Sequence, residues 1–377
     1  MSKYNFNKII DRRNMSSYKW DIKENELSLT IADMDFSVMP EITESINKIA
    51  KVSAYGYRYV PKEYFTSYVN HFTKRYGARF SEEDCIFSNG IVGSIDSILK
   101  RICKKGDGVA MLTPIYNVFF NCIKNNGLVL VDTPFIYENH KYTIDWELLE
   151  KNLKVAKAFI FCNPHNPIGK TFSEDEVKKI ASLCEQNDVY LLSDEIHADF
   201  DYNGQKYVPV NKVSDYDKLI SFYSPGKTFN LAGLHSSIVV IKEKSLRELL
   251  QKGIYEDDLG EANYFAIEPV MVAYNKGEQY IRELNEYLKN NRDLVRKSIK
   301  NPLYLIENDS TYLLWIDVSK VCSGEDFCKE LREETGLVLL PGKIYGDDRF
   351  VRVNIATSEE VLKDALERLD KYLTKKV

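Results

Sequence analysis

Between residues 85 and 241, short apolar runs alternate with stretches of helical periodicity, and no other feature of the chain constrains its fold as tightly. The runs fall at 85–88, 109–112, 128–131, 158–162, 189–193, 219–223 and 237–241, with helical patterns between most of them. Runs that are apolar throughout suit strands buried on both faces, and a helix between successive strands makes the crossover that parallel pairing needs. The expectation is an α/β fold: a mainly parallel sheet covered on both faces, with its binding crevice at the strands' carboxyl ends. The last of these strands leads into a helix over 243–252 and a Gly/acidic loop over 253–260. From about residue 302 the order becomes strand (311–318), helix (324–334), short strand (337–340), strand (350–355) and helix (359–373), which reads as a smaller α+β domain.

A chain of 377 residues is too long for one small core and suits a large domain plus a smaller one. The divisions expected are 1–50 for an N-terminal arm with part of the small domain, 51–275 for the large domain and 276–377 for the C-terminal small domain. Residues 1–21 are polar with scattered aromatics, an arm suited to packing on a partner or on the small domain. Pro40 opens a helix to about residue 51, where its fixed φ and missing donor suit a first turn. A second helix over 61–76 carries Tyr64, Tyr68 and Phe72 at helical spacing.

Composition excludes several classes. The longest apolar runs stop well short of a membrane span, and the chain opens on polar, charged sequence without the apolar core of a signal peptide, so the cytoplasm is expected. A net charge of −5 leaves no basic footprint for nucleic acid. Seven cysteines without a CxxC pair argue for reduced thiols, and against a disulfide framework or a structural metal site.

Three motifs carry chemistry. The stretch 221–234 holds Lys227 in a tight turn after an apolar run, where a partly desolvated amine can form Schiff bases; a solvated loop lysine is the ordinary alternative. Asn163-Pro164-His165-Asn166-Pro167 is a rigid loop after a strand. Asp194, with His197 three residues on, ends another buried-looking run, and an acid at a strand's carboxyl end often marks a site. Asn89-Gly90-Ile91-Val92-Gly93-Ser94 opens a helix whose free amides, Val92 and Gly93 among them, suit an anion or merely make a turn. Tyr116 ends a further strand, placed either to stack on a flat ring or simply to pack.

In this order and spacing the motifs resemble the fold-type I pyridoxal-phosphate enzymes of the class I/II aminotransferase superfamily, over nearly the whole chain. Ala32-Asp33-Met34-Asp35-Phe36, Tyr55-Gly56-Tyr57, the run 194–199, the run 227–234 and Arg352-Val353-Asn354-Ile355-Ala356 resemble its cystathionine beta-lyase branch of carbon-sulfur lyases. The resemblance implies a homodimer with shared active sites that uses pyridoxal 5'-phosphate (PLP) on a small amino-acid substrate. Lys227 would carry the cofactor and move the Cα proton, Asp194 would pair with the ring nitrogen, and Asn166 with the phenolic oxygen. Tyr116 would stack on the ring and His197 would lie near the phenolic oxygen. Val92, Gly93 and Ser224 would hold the phosphate, with Tyr57 contributed from the partner subunit. Arg352 would take the substrate carboxylate, and Met34, Asp35 and Phe36 would border the substrate.

Three positions differ from the pattern resembled. Pro225-Gly226 precede the lysine where small or hydroxylated residues are usual, the helix-start loop reads Asn-Gly-Ile-Val-Gly, and His235 stands where many members carry an arginine. His235 is therefore a further phosphate candidate. The activity implied is beta-elimination from cystathionine or a related cysteine thioether, giving a thiol, pyruvate and ammonia. An aminotransferase would use the same residues, and a regulatory binding protein with weak lyase activity is the alternative from another class.

Overall fold

The computed structural model describes residues 3–202, 204 and 207–376, so the first two residues of the arm and the last residue of the chain lie outside the described residues. All seven apolar runs are strands of one sheet: β1 (Cys85–Ser88), β2 (Gly108–Thr113), β3 (Val129–Pro134), β4 (Ala156–Cys162), β5 (Tyr190–Asp194), β6 (Leu219–Tyr223) and β7 (Ser237–Val240). Their order is β1-β7-β6-β5-β4-β2-β3. Every pair is parallel except those made by β7, which runs antiparallel to both β1 and β6.

The period of two along each strand divides the core between the two faces. Ala110, Leu112, Phe159, Phe161 and Leu191 enter one hydrophobic cluster, while Val109, Met111, Ala158, Ile160 and Leu192 enter another. Burial on both faces explains six of the seven apolar runs; the edge strand β3 is the exception, with Val129 and Leu130 exposed. Among the flanking helices, Glu174–Gln186 starts where Ser173 accepts the Glu176 amide at 3.2 Å and the Glu176 carboxylate accepts the Ser173 amide at 2.8 Å.

A second sheet holds β8 (Tyr304–Leu305), β9 (Leu313–Asp317), β10 (Leu340–Pro341) and β11 (Phe350–Asn354), antiparallel throughout in the order β8-β9-β11-β10. The helices Gly324–Thr335 and Glu359–Thr374 accompany it, as the C-terminal pattern predicts.

Two local expectations change. The helix after β7 runs Lys244–Glu256, through the position where the sequence suggests a loop. Gly253 sits inside it because a Cβ there would lie 1.8 Å from the Arg101 guanidinium, so this glycine marks a close approach and not a helix end. The helix Ile267–Lys276 is additional to those expected. The N-terminal arm packs on its own chain: the Lys3 and Tyr4 amides donate to Glu283, and Tyr4 and Phe6 meet Tyr280 at 5.1 and 5.6 Å between ring centroids. Glu283 and Tyr280 belong to the long helix Glu278–Ser298. Among the described residues no helix is long and apolar enough to cross a membrane.

Candidate active site

The sheet delivers the predicted residues to one place. β4 and β5 end side by side at Cys162 and Asp194, and the loops after β2, β4 and β6 carry Tyr116, Asn166 and Lys227. Together with Asn89, Gly90, Val92, Gly93, His197, Ser224 and His235 they line a cleft of about 400 Å³ at the carboxyl ends of the parallel strands. A crevice of this size suits a small cofactor with its substrate.

Lys227 is partly buried, and its Nζ donates to the Ala32 carbonyl at 2.6 Å, an oxygen that also accepts the Tyr312 hydroxyl at 2.8 Å. Burial, then the nearby Arg352 charge, push the Lys227 amine down to about 8, against the opposing pull of Asp33 and Asp194. Asp194 accepts the Ile196 amide at 3.1 Å, and burial raises its carboxyl to about 6 even though that amide and Lys227 favour the carboxylate. His197 is buried with Nδ1 unpartnered, and burial followed by the charges of Lys227 and Arg352 holds it neutral, well below the usual imidazole range.

Arg352 lies on β11 and is buried. Its Nη1 donates to Asn166 Oδ1 at 3.3 Å and its Nη2 to the Thr30 carbonyl at 3.2 Å, with the guanidinium 4.7 Å from the Tyr345 ring. Among the described residues no carboxylate pairs with it, and its Nε has no partner. A buried guanidinium without a counter-ion is costly, and such groups persist where a ligand supplies the missing charge.

Asp35 and Phe36 lie elsewhere. Asp35 accepts Lys19 Nζ at 2.8 Å, Arg12 Nη2 at 2.8 Å and Trp20 Nε1 at 3.0 Å, so its oxygens face the N-terminal arm. Phe36 packs in the core against Phe6 and Tyr287. Met34 is buried in the same core. Of this segment it is Ala32 that reaches the cleft. The physical reason is the set of counter-ions gathered from residues 12–20: once Asp35 is triply partnered, turning it to the cleft would strand the buried Lys19.

Tyr57 is 96% exposed and lines a separate outer depression with Arg58, Tyr59 and Tyr255, away from its own chain's cleft. The Ser224 hydroxyl donates to the Ser236 carbonyl at 2.8 Å and accepts the Gly226 amide at 3.1 Å. His235 is exposed and adopts the left-handed conformation at φ 50°.

Sequence reasoning passed over the groups that hold these parts. Asn230, at φ 57°, fixes the segment 34–36 by accepting the Met34 amide at 3.0 Å and donating to the Met34 and Phe36 carbonyls. The Thr228 hydroxyl, next to Lys227, donates at 2.9 Å to the buried Asp199, which also accepts His71 Nε2 at 2.8 Å and the Tyr76 hydroxyl at 2.7 Å. Burial pushes the Asp199 carboxyl up, but His71, Arg75 and Tyr76 outweigh it and bring it to about 2. Asn230 and Asp199 lie in the runs 227–234 and 194–199 that carry the family resemblance, but neither was assigned a role from the sequence. Among the described residues no group of three or more His, Cys, Asp or Glu side chains could hold a metal ion.

The chain is 30% identical to cystathionine beta-lyase PatB of Bacillus subtilis, covering 98% of this chain and all of that one. Its backbone is similar to that of cystalysin from Treponema denticola, a structure containing pyridoxal 5'-phosphate, with a TM-score of 0.94, 28% identity and 99% of each chain covered. It is likewise similar to the PLP-bound C-S lyase of Staphylococcus hominis, with a TM-score of 0.92, 30% identity and 98% of each chain covered. Residues 24–369 match the family model of class I and II aminotransferases, and with the lysine, aspartate and asparagine of the motifs converging on one cleft, the chain belongs to that family.

Proposed function

We propose that this protein is a PLP-dependent carbon-sulfur beta-lyase that cleaves cystathionine or a related cysteine thioether to a thiol, pyruvate and ammonia. The observation that carries the reading is the cleft's set of uncompensated groups. A lysine, an aspartate and an arginine lie beside it without the ion pairs that buried charges normally find. These groups fit a phosphorylated pyridine aldehyde and an amino acid: an amine for the aldehyde, a carboxylate for the ring nitrogen, a guanidinium for the substrate carboxylate. The names carried by its relatives, cystathionine beta-lyase and C-S lyase, support the same activity.

Bound PLP supplies an electron sink that stabilises negative charge at the substrate Cα. Lys227 would hold the cofactor through its amine and, once the incoming substrate amine frees it, would take the Cα proton; burial and Arg352, which bring this amine down to about 8 in the cofactor-free chain, favour a neutral base. Asp194 pairs with the ring nitrogen as a carboxylate. Asn166 spends its Oδ1 on Arg352 and keeps its amide nitrogen for the phenolic oxygen. Tyr116 stacks on the ring, the amides of Val92 and Gly93 hold the phosphate, and Arg352 binds the substrate carboxylate through its planar fork. His197, neutral, lies beside this group as a hydrogen-bonding partner and not as a charge. The substrate C–S bond would then break with its electron pair on sulfur, which takes up a proton to leave as the thiol, and the three-carbon enamine released would take up water to give pyruvate and ammonia.

The active protein is a homodimer in this reading. Tyr57, almost fully exposed in the single chain, reaches the partner's phosphate, and His235 is exposed at the rim where such a partner sits. Seven free thiols support a reducing compartment, the cytoplasm.

The test is an end-point assay of the PLP-loaded protein with L-cystathionine. Equal pyruvate and thiol without added 2-oxo acid is the expected result, and Lys227→Ala loses roughly 10³-fold or more of the rate along with the bound cofactor's visible absorbance. Turnover that requires a 2-oxo acid would make the protein an aminotransferase and overturn the lyase reading.

A further inference from the structure

The phosphate end of the cleft contains a hydroxyl that neither the motifs nor the reading above assigns. Ser236 lines the cleft and is 5% exposed. The pairing of Ser237 with Ser88 sets it beside the end of β1, where Asn89 and Gly90 turn into the helix Ile91–Ile102. Its Oγ is 2.6 Å from the Tyr64 hydroxyl, which in turn is 3.0 Å from the Tyr68 hydroxyl. Both tyrosines are fully buried, and burial keeps both phenols protonated.

Three hydroxyls in a row have three consistent orientations, because each gives one proton; where Ser236 and Tyr68 both donate to Tyr64, the unpartnered proton is that of Tyr64, which is fully buried, at the cost of an unmade hydrogen bond. If Ser236 donates to Tyr64 and Tyr64 to Tyr68, the last proton belongs to Tyr68, whose ring is packed against Tyr274 and Phe72 with no hydrogen bond outside this row among the described residues. A buried donor without an acceptor is expensive. In the opposite orientation Tyr68 donates to Tyr64 and Tyr64 to Ser236, and the free proton is that of Ser236, at the wall of the cleft. The fold therefore favours a serine that donates into the cleft. The neighbouring hydroxyl cannot do the same without losing a bond, since Ser224 gives its proton to the Ser236 carbonyl. Pro225 has no amide proton to offer, and Gly226 no side chain.

We propose that Ser236 is a ligand of the cofactor phosphate, with its proton aimed by the Tyr68–Tyr64 pair, and that it takes the place of the hydroxyl absent at Pro225-Gly226. Ser236 touches the anion, and Tyr64 is a positioning residue that acts through it. The proposal rests on the reading that this cleft binds PLP.

The experiment titrates the cofactor-free, full-length protein with PLP and, separately, with pyridoxal, which lacks the phosphate, and follows the visible absorbance of the adduct. Ser236→Ala is expected to weaken PLP about tenfold and leave pyridoxal unchanged, because a neutral hydroxyl on a phosphate is worth about that much. Tyr64→Phe should weaken PLP several-fold in the same selective way, and Ser236→Thr should restore wild-type affinity. Equal loss for PLP and pyridoxal, or no loss for either, overturns the proposal. Should Ser236→Ala fail to fold, Tyr64→Phe with an unaltered ratio of PLP to pyridoxal affinity overturns it instead. A wild-type protein that takes up neither compound sinks the PLP reading itself, an outcome distinct from all of these.

Discussion

Two lysine and carboxylate settings lie below the surface of this molecule, and the chain treats them in opposite ways. At the N-terminal arm, the buried Lys19 is paired with Asp35 at 2.8 Å, and Arg12 bridges Asp35 and Asp33 at 2.8 and 2.9 Å. Burial raises the Asp35 carboxyl, but Lys19, Trp20 and Arg12 outweigh it and hold the group below its ordinary range. At the cleft, Lys227 reaches only a backbone carbonyl, Asp194 only a backbone amide, and Arg352 only an amide oxygen and a carbonyl. Lys227 and Arg352 are pushed down and Asp194 up, each chiefly by burial. Where a buried charge serves the fold, the chain supplies its counter-ion; where it faces a ligand, the counter-ion is withheld.

The sharpest way to break this comparison is to remove one charge from each setting and unfold the cofactor-free protein in urea, so that ligand binding does not mask the difference. Asp35→Ala strands the buried Lys19, leaves Arg12 with Asp33 alone, and is expected to cost about 3–5 kcal/mol. Arg352→Met removes a charge with no counter-ion and is expected to be neutral or stabilising. Equal losses would erase the distinction.

A smaller effect separates binding from folding. In the loaded enzyme Arg352→Met should raise KM by about 30- to 100-fold, on the order of the 2–3 kcal/mol of a charge-assisted fork, with kcat changed far less. A variant with unaltered KM would take the substrate carboxylate away from Arg352.

The smallest expected signal is in the pH dependence of stability. With its amine near 8 in the folded, cofactor-free chain and 10.5 as the ordinary value, Lys227 binds fewer protons folded than unfolded across that window. Stability therefore gains a contribution as pH rises from about 8 to 10.5. Asp194, raised from 3.8 to about 6, works the other way: its contribution is full below about 3.8 and is lost as pH rises through 6. Denaturation series on Lys227→Met and Asp194→Asn should each lack the matching segment of the wild-type slope, and unchanged slopes would mean that neither group is desolvated.

The legible parts of this protein share a cause. A strand buried on both faces has to be apolar along its whole length, so six of the seven runs could be read directly, the exposed edge strand β3 being the exception, and Asp194, Asn166, Tyr116 and Lys227 follow runs whose carboxyl ends a parallel sheet brings together. Asp35 misled because its neighbours Ala32 and Asp33 do belong near the cleft, while its own partners come from residues 12–20, a polar stretch without periodicity. Gly253 misled because a glycine's reason can lie in another element, here the Arg101 side chain. Tyr64 and Tyr68 were readable as one face of a helix, but their hydroxyls meet Ser236, 172 residues further on from Tyr64, only across a core.

By itself, then, the sequence determined the alternating architecture, the loops that carry reactive groups and the lysine at their centre, because local periodicity and strand-end position survive without knowledge of distant contacts. Which charges are paired and which are left open was decided by the tertiary structure. Whether a charge is paired depends on groups that come within hydrogen-bonding distance from segments hundreds of residues apart, as the Arg352 guanidinium does at 3.2 Å from the Thr30 carbonyl, and no local pattern encodes that approach.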